Sequence, residues 1–458
     1  MNHVVFSTIL IAAAAATPLA AQNRIDGQSA DAPELAAYGG MPVGVRTFEF
    51  VNKDQIDMLA IDPSAPKPDD YPTYDRSLAV EMWYPAAEGA TGDTSFNAYL
   101  RDGITEVTLE GRAMRDAAAA ETSAPLPLVL LSHGYPGNRF LMSHLAENLA
   151  SKGYVVASID HTDSTYRTQG NFASTLVNRS LDQLFVLDEM ARLNSDHTSG
   201  VAGMIDTNNT GLIGYSMGGY GTIVTAGGGV TEASTAYAPH DTLAIHQQGS
   251  DTHNALPDER IKTAIAIGPW GMNAGFWDAD GLAGIDIPML FMAGSADRTS
   301  GYENGVRAIW EGATSVDRAL LTFDGGGHNT VAPIPAPLES YTAGVSGHYT
   351  DAVWDTVFMN NVGQHFATAW LDAELKGDNS KQAYLDLLGI GSDGVWSKNP
   401  DGSFNDDHTY WTGFQQGTAN GLRYEVLSAA PAPVPLPASL WLLGMAVGGL
   451  GVMRRRRA

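Results

Sequence analysis

The residue of this sequence best placed to do chemistry is a serine at the centre of a Gly-x-Ser-x-Gly motif. Residues 210–220 read TGLIGYSMGGY, with Gly214, Ser216 and Gly218 in the motif. An apolar run before Ser216 and small residues after it predict a buried strand, a sharp turn and a helix. Such a turn raises the hydroxyl above the end of the sheet, and flanking glycines leave room for the backbone. Ser216 is therefore a candidate nucleophile.

A serine hydroxyl is nucleophilic at neutral pH only if a histidine takes its proton and a carboxylate orients that histidine. With a serine on such a turn, the chain order is serine, acid, histidine. Asp297 follows a predicted strand at 289–293, and His328 follows another at 320–323. Both positions lie at the sheet edge where the serine turn emerges. The sequence thus predicts a triad of Ser216, Asp297 and His328.

The tetrahedral intermediate of acyl transfer also needs two backbone N–H donors. We assign one to Met217, the residue after the nucleophile, and the other to Tyr135 in the loop that follows an apolar strand. His133 precedes that loop and is interpreted as a structural residue. The other histidines, His161 among them, have no comparable setting in the sequence.

Composition restricts the chemistry further. The chain has 51 acidic and 26 basic residues and a formal net charge of −25, so its surface repels nucleic acid and anionic lipid. It has no cysteine, which excludes disulfides, thiolate nucleophiles and cysteine-ligated metals. Its carboxylate-rich stretches lack the spacing of a calcium loop. We therefore predict no metal, no cofactor and no nucleic-acid partner.

Apolar runs alternate with amphipathic stretches through the middle of the chain. The runs typical of parallel strands covered on both faces lie at 126–132, 154–159, 210–215, 261–267, 288–293 and 320–323. Helical spacing of apolar residues at 177–191 and 354–370 predicts helices that pack on this sheet. The pattern predicts an α/β fold with a doubly wound, mostly parallel sheet.

The remaining stretches are less regular. Residues 43–51 and 78–84 predict antiparallel edge strands. The alanine-rich stretch 97–120 is interpreted as either helical or loose. Residues 227–260 are polar and without a clear period, which predicts a surface insertion of the kind that caps a cleft. Residues 401–427 carry aromatic side chains and are expected to pack back on the body.

Both ends of the chain have the composition of targeting segments. Residues 1–21 resemble a secretory signal peptide, and residues 22–428 are predicted to form one catalytic domain with its core at about 39–376. A Pro/Ala linker at 429–437 leads into an apolar segment with four arginines, at 438–458. Its length and charge predict membrane attachment. We expect export to the periplasm, the cell surface or the medium.

Several motifs together resemble the α/β-hydrolase superfamily. They are LVLLSHGY at 128–135, YVVASID at 154–160, GYSMGG at 214–219, AGSAD at 293–297 and GH at 327–328. Within that superfamily they are most similar to the platelet-activating-factor acetylhydrolase, dienelactone hydrolase-like and cutinase-like polyester hydrolase branch. The resemblance implies the same triad and the same oxyanion donors. Trp270 resembles the tryptophan of the acyl cleft in polyester hydrolases. VPLPA at 434–438 resembles a PEP-CTERM sorting signal, which implies sortase-like processing of the C-terminal segment, with a plain membrane anchor as the alternative.

The acetylhydrolase branch places its acid directly after the sixth strand, where this chain has Gly268. The resemblance therefore assigns the acid to Asp297, the cutinase-like arrangement. We predict an exported serine carboxylic-ester hydrolase acting through an acyl-enzyme on lipid-like or polyester-like esters. Trp270, Tyr135 and Tyr215 would form its aromatic cleft. The alternatives are a phospholipase of the acetylhydrolase type and a catalytically dead surface binding module.

Overall fold

A ten-stranded sheet forms the centre of the computed structural model, which describes residues 23–430. The strands are β1 Asn23–Arg24, β2 Val43–Ile56, β3 Thr73–Pro85, β4 Ser95–Tyr99, β5 Glu106–Glu110, β6 Met114–Arg115, β7 Leu126–Ser132, β8 Val155–Ile159, β9 Ile205–Tyr215, β10 Ile261–Ile267, β11 Met289–Gly294, β12 Arg318–Phe323 and β13 Leu422–Leu427. The α-helices are α1 Ser143–Ala150, α2 Phe172–Ser195, α3 Met217–Thr225, α4 Asp251–Asn254, α5 Ala279–Ala283, α6 Arg307–Gly312, α7 Leu338–Thr342 and α8 Thr356–Lys376. The predicted signal peptide and the predicted C-terminal segment lie outside the described residues.

The large sheet runs in the order β13-β12-β11-β10-β9-β7-β8-β3-β2-β6. From β12 to β8 all neighbours are parallel, whereas β3 pairs antiparallel with both β8 and β2. Connections through helices bring the carboxyl ends of these parallel strands to one edge. This is the α/β-hydrolase fold, and the predicted fold class is confirmed.

Helices cover both faces of the sheet. Along β7, Leu128 and Leu130 face one apolar core, while Val129 and Leu131 face the other. Helices α2 and α3 pack in the first core, and α1 and α8 pack in the second. Because both faces are buried, the parallel strands read as continuous apolar runs in the sequence.

The stretch at 97–120 is neither helical nor loose, so that interpretation is wrong. It contributes β4, β5 and β6, and β4 and β5 join β1 in a separate three-stranded sheet. Val107 and Leu109 are buried there, and Thr108 between them is exposed. This two-residue alternation was present in the sequence but was obscured by the alanines that follow.

Two further segments pack on the body. Residues 401–427 return to it as expected, and β13 pairs antiparallel with β12 at the sheet edge. The segment at 227–260 packs against α2, where the His246 Nε2 lies 2.8 Å from the Val177 carbonyl oxygen. Within residues 23–430, no helix is long and apolar enough to cross a membrane.

Candidate active site

The turn at Ser216 is held by close backbone packing. Ser216 has φ 53° and ψ −111°, outside the usual regions for a non-glycine residue, and caps the N-terminus of α3. A Cβ atom at Gly218 would lie 1.9 Å from the Ser132 carbonyl oxygen, and one at Gly214 would lie 2.3 Å from the Gly218 carbonyl oxygen. Only glycine fits either position, which accounts for the motif.

The structure brings Ser216, Asp297 and His328 together. The Ser216 Oγ lies 2.9 Å from the His328 Nε2, and the His328 Nδ1 lies 2.8 Å from the Asp297 Oδ2. The other Asp297 oxygen accepts hydrogen bonds from the backbone N–H groups of Thr299 and Ser300. Asp297 is buried and His328 is partly open to solvent. The arrangement permits proton transfer from the Ser216 hydroxyl to the His328 imidazole, whose orientation is fixed by its hydrogen bond with Asp297.

Gly268 follows β10 and lies beside the aspartate and histidine of this set. A Cβ atom there would be 3.5 Å from the Asp297 Oδ2 and 3.6 Å from the His328 ring. Both distances are ordinary van der Waals contacts, so position 268 directly adjoins the aspartate and the histidine. The loop that carries Asp297 is held to the loop after β10, because the Ser300 hydroxyl donates a hydrogen bond of 2.7 Å to the Gly268 carbonyl oxygen.

The two predicted oxyanion donors have free N–H groups. Within the described chain, neither the Tyr135 N–H nor the Met217 N–H donates a hydrogen bond to another residue. Met217 opens α3, where the first N–H groups of a helix have no partner in the helix itself. Tyr135 lines the cleft together with Ser216.

The cleft around Ser216 and His328 has a volume of about 590 Å³. Tyr215 lines it, and its ring centroid lies 5.2 Å from that of His328. Trp270 does not line it; this ring packs edge-on against Phe172, which in turn packs edge-on against Tyr135. No residue of the 227–260 segment lines the cleft.

Among the cleft residues that sequence reasoning missed are the basic side chains of Arg101 and His348. His348 receives a hydrogen bond of 2.7 Å from the Tyr166 hydroxyl or donates one to it. Burial lowers the pKa of His348 to about 3, and the charges of Arg101 and His328 act in the same direction. Neither residue belongs to a motif, so no local signal in the sequence marks them.

A second serine, histidine and aspartate set lies beneath the first, so His161 does have a comparable setting and the sequence interpretation was wrong. The Ser132 Oγ is 2.8 Å from the His161 Nε2, and the His161 Nδ1 is 2.9 Å from the Asp182 Oδ2. Arg76 binds Asp182 through two hydrogen bonds of 2.8 and 2.9 Å. Ser132 has no exposed surface, so it cannot meet a substrate.

This buried set supports the loop that carries Tyr135. The backbone N–H of His161 donates a hydrogen bond of 3.2 Å to the His133 Nε2, and the Arg179 guanidinium donates one of 2.7 Å to the His133 carbonyl oxygen. Burial alone would raise the pKa of Asp182, but the charge of Arg76 and hydrogen bonds from His161 and Arg76 lower it to about 2. The carboxylate is therefore ionised and holds both partners in place.

Replacing Asp182 with asparagine is expected to destabilise the fold by about 3 kcal/mol, because it leaves the buried Arg76 charge undercompensated. Asp188→Asn in the same helix is the matched control. Asp188 is mostly exposed and pairs with Arg260 at the surface, so we expect a loss below about 1 kcal/mol. Urea unfolding measures both. Equal midpoints for the two variants would contradict this role of Asp182.

No metal-binding cluster of three or more histidine or acidic side chains occurs among residues 23–430. One of the carboxylate-rich stretches is accounted for by helix capping, since the Asp278 Oδ1 accepts a hydrogen bond of 2.8 Å from the Gly281 N–H at the start of α5.

A PET hydrolase-like family model matches residues 117–248 of this chain. The match includes Tyr135, Ser216 and Met217 and ends before Asp297 and His328. The assignment of those two residues therefore depends on the geometry described above.

Cutinases are similar to this chain over 201 residues, or 44% of its length. Cutinase 2 of Thermobifida cellulosilytica and cutinase cut1 of Thermobifida fusca are 26% identical, and cutinase est2 of Thermobifida alba is 25% identical. The chain spans 59%, 49% and 52% of these relatives, respectively. Ferulic acid esterase from Streptomyces cinnamoneus has 21% identity and a TM-score of 0.49, covering 76% of this chain and 94% of that chain.

Proposed function

We propose that this chain is a carboxylic-ester hydrolase that acts through an acyl-enzyme on Ser216. The observation that carries the proposal is the unbroken hydrogen-bonded path from the Ser216 Oγ through His328 to Asp297, with distances of 2.9 and 2.8 Å. The similarity to cutinases over part of the chain supports the same chemistry.

In the first half-reaction, the Ser216 oxygen attacks the ester carbonyl carbon while its proton moves to the His328 Nε2. The tetrahedral intermediate collapses, the C–O bond to the alcohol breaks, and His328 returns the proton to the leaving alcohol. In the second half-reaction, water attacks the acyl-enzyme, again losing a proton to His328. The carboxylic acid leaves and Ser216 regains its proton.

Two features of the site would stabilise these steps. The free N–H groups of Tyr135 and Met217 are the donors that we propose for the oxyanion. Asp297 faces the His328 Nδ1, so it would fix the tautomer and offset the charge of the imidazolium. The buried set around His161 would keep the Tyr135 loop in position.

We propose esters with an apolar acyl or aromatic part as substrates, of the lipid-like or polyester-like kind. Tyr135 and Tyr215 line the cleft, and the Phe172 and Trp270 rings continue the aromatic surface from Tyr135. Hydrolysis rates on nitrophenyl esters of increasing chain length, a triglyceride and a polyester film would define the class. Action on acetyl esters alone would instead favour the phospholipase of the acetylhydrolase type.

We also propose that the enzyme is exported and works in the periplasm, at the cell surface or in the medium. The composition of residues 1–21 and 438–458 motivates this, with sorting or anchoring through the C-terminal segment. Cell fractionation with an antibody to the body of the protein tests it. Recovery in the cytoplasm alone would contradict export.

An active-site-directed fluorophosphonate is expected to label Ser216 at one site per chain, because it forms a covalent bond with a serine activated by a neighbouring imidazole. Mass spectrometry of the labelled peptide identifies the residue. The Ser132→Ala variant should label normally, since that serine has no exposed surface. Absence of label on folded wild-type protein would instead support the dead binding module.

A further inference from the structure

Arg101 lies in the Ser216 cleft without a partner for its charge. It is half-buried in the loop after β4, where its backbone N–H donates to the Tyr349 hydroxyl at 3.1 Å. The guanidinium itself makes no hydrogen bond or ion pair with any residue between 23 and 430. Arg101 lines the cleft together with Tyr135, Tyr215 and His348. Burial and the charge of Asp297 raise the pKa of Tyr215, and the charge of Arg101 only partly offsets that rise.

An unpaired arginine is unusual among residues 23–430. Most arginine side chains of the described part bind a carboxylate or a carbonyl oxygen, as Arg76, Arg307 and Arg318 do. The exceptions are Arg101, Arg167 and Arg298, and Arg101 and Arg298 line the Ser216 cleft. Acidic residues outnumber basic ones by 51 to 26, so the lack of a carboxylate partner for Arg101 does not reflect a shortage of acidic side chains in the sequence.

The carboxylates nearest to the cleft are engaged elsewhere. Asp351 lines it, but its oxygens accept hydrogen bonds from the backbone N–H groups of Gly327, Val353 and Trp354. Asp297 is bound to His328, and Asp102 caps its own turn through the Ile104 and Thr105 N–H groups. The cleft therefore holds two arginine side chains, Arg101 and Arg298, that form no ion pair with a carboxylate of the described residues, although Asp351 also lines it.

From this arrangement we infer that the cleft takes esters that carry a free carboxylate, with Arg101 as the group that binds it. This inference rests on the proposed ester hydrolase function and names its substrate class. A half-buried guanidinium offers two parallel N–H donors that match a carboxylate, and such bonds are stronger where water is partly excluded. Half-esters of dicarboxylic acids have this chemistry, with the reactive ester at one end and the charge at the other. Arg298 is exposed at the rim and attracts the same anion at longer range.

Two matched pairs of esters test the inference. In the first pair the charge is on the acyl part, namely mono(4-nitrophenyl) glutarate against 4-nitrophenyl valerate. In the second it is on the alcohol part, namely 4-carboxyphenyl butyrate against phenyl butyrate. For at least one pair, Arg101→Gln should lower kcat/KM on the charged ester by about 10- to 100-fold and leave the neutral ester within about 2-fold.

The controls separate charge from structure. Arg101→Lys should retain part of the preference for the charged ester, and raising the salt concentration should weaken that preference in wild type. Arg167→Gln is the matched variant, because this arginine is also unpaired but stacks on Tyr99 outside the Ser216 cleft. It should leave both rates unchanged.

The same experiment distinguishes failure of the carboxylate inference from failure of the proposed ester hydrolase function. If wild type hydrolyses the neutral esters and Arg101→Gln changes charged and neutral members of both pairs equally, the carboxylate inference is overturned and the ester hydrolase function stands. If wild type hydrolyses no ester of either pair, the proposed function fails and the inference fails with it.

Discussion

Replacing Ser216 with alanine is expected to lower kcat on a nitrophenyl ester by about six orders of magnitude, down to the residual rate of a site without a nucleophile. The reason is that the serine, the histidine and the aspartate act as a unit, so loss of one removes the acyl-enzyme route altogether. Steady-state rates on the same ester, with circular dichroism to establish folding, measure this effect. His328→Ala should give a loss of similar size.

Ser132→Ala is the matched control for this variant. Ser132 has the same kinds of partner, a histidine at 2.8 Å that contacts an aspartate at 2.9 Å, but no access to substrate. We expect its turnover to stay within about tenfold of wild type, because only positioning of the Tyr135 loop is affected. A Ser216→Ala enzyme with substantial activity, or a Ser132→Ala enzyme with none, would contradict the assignment of the nucleophile.

The parallel sheet and the geometry around Ser216 were predictable because both are written locally in the sequence. Continuous apolar runs mark strands buried on two faces, and parallel strands bring their carboxyl ends to one edge. Residues in the turns that follow three such strands therefore meet, although Ser216 and His328 are 112 positions apart. The order of the candidates, together with the glycine at 268 where the acetylhydrolase branch has its acid, then made Asp297 the predicted acid.

The buried set of Ser132, His161 and Asp182 was not predictable, because a prediction from hydrophobic periodicity places polar residues on the exposed face of an element. In α2 the sequence indicates a face with Leu181 and Leu184, yet both are only half-buried. Arg179 and Asp182 are fully buried instead, because each finds a partner from another element. Such pairing depends on residues that meet only in the fold. The same holds for Arg101, which reaches the cleft from a loop that precedes the core strands.

Buried histidines give the fold a second kind of dependence on protons, separate from the triad. His144, His161, His246 and His365 are each at most 1% exposed. For His144 and His246 the Nδ1, and for His365 the Nε2, has no hydrogen-bond partner among the described residues. Protonation would place an unpaired charged N–H in the core. Burial accordingly lowers the pKa of His161 and His365 to about 3 and that of His144 and His246 to about 4.

The sign of the effect follows from comparing the two states. In the unfolded chain these histidines bind protons below about pH 6.5, whereas in the folded chain they stay neutral to about pH 4, so unfolding takes up protons in between. Stability is fully present above pH 6.5 and is lost as the pH falls. Glu147 opposes this, because burial raises its pKa to about 7 and it takes up its proton in the folded state first.

We therefore expect the free energy of unfolding to fall by on the order of 5 kcal/mol or more between pH 7.5 and pH 5, with a net uptake of at least about three protons near pH 5.5, because burial lowers the pKa values of His133, His253 and His348 as well. Urea unfolding at closely spaced pH values gives this slope directly. His144→Gln should reduce the uptake by about one proton, whereas His197→Gln, at an exposed position, should leave it unchanged. A free energy of unfolding that does not change with pH in this range would contradict burial of these histidines in the neutral form. Activity lost by unfolding should follow the circular dichroism signal in the same titration.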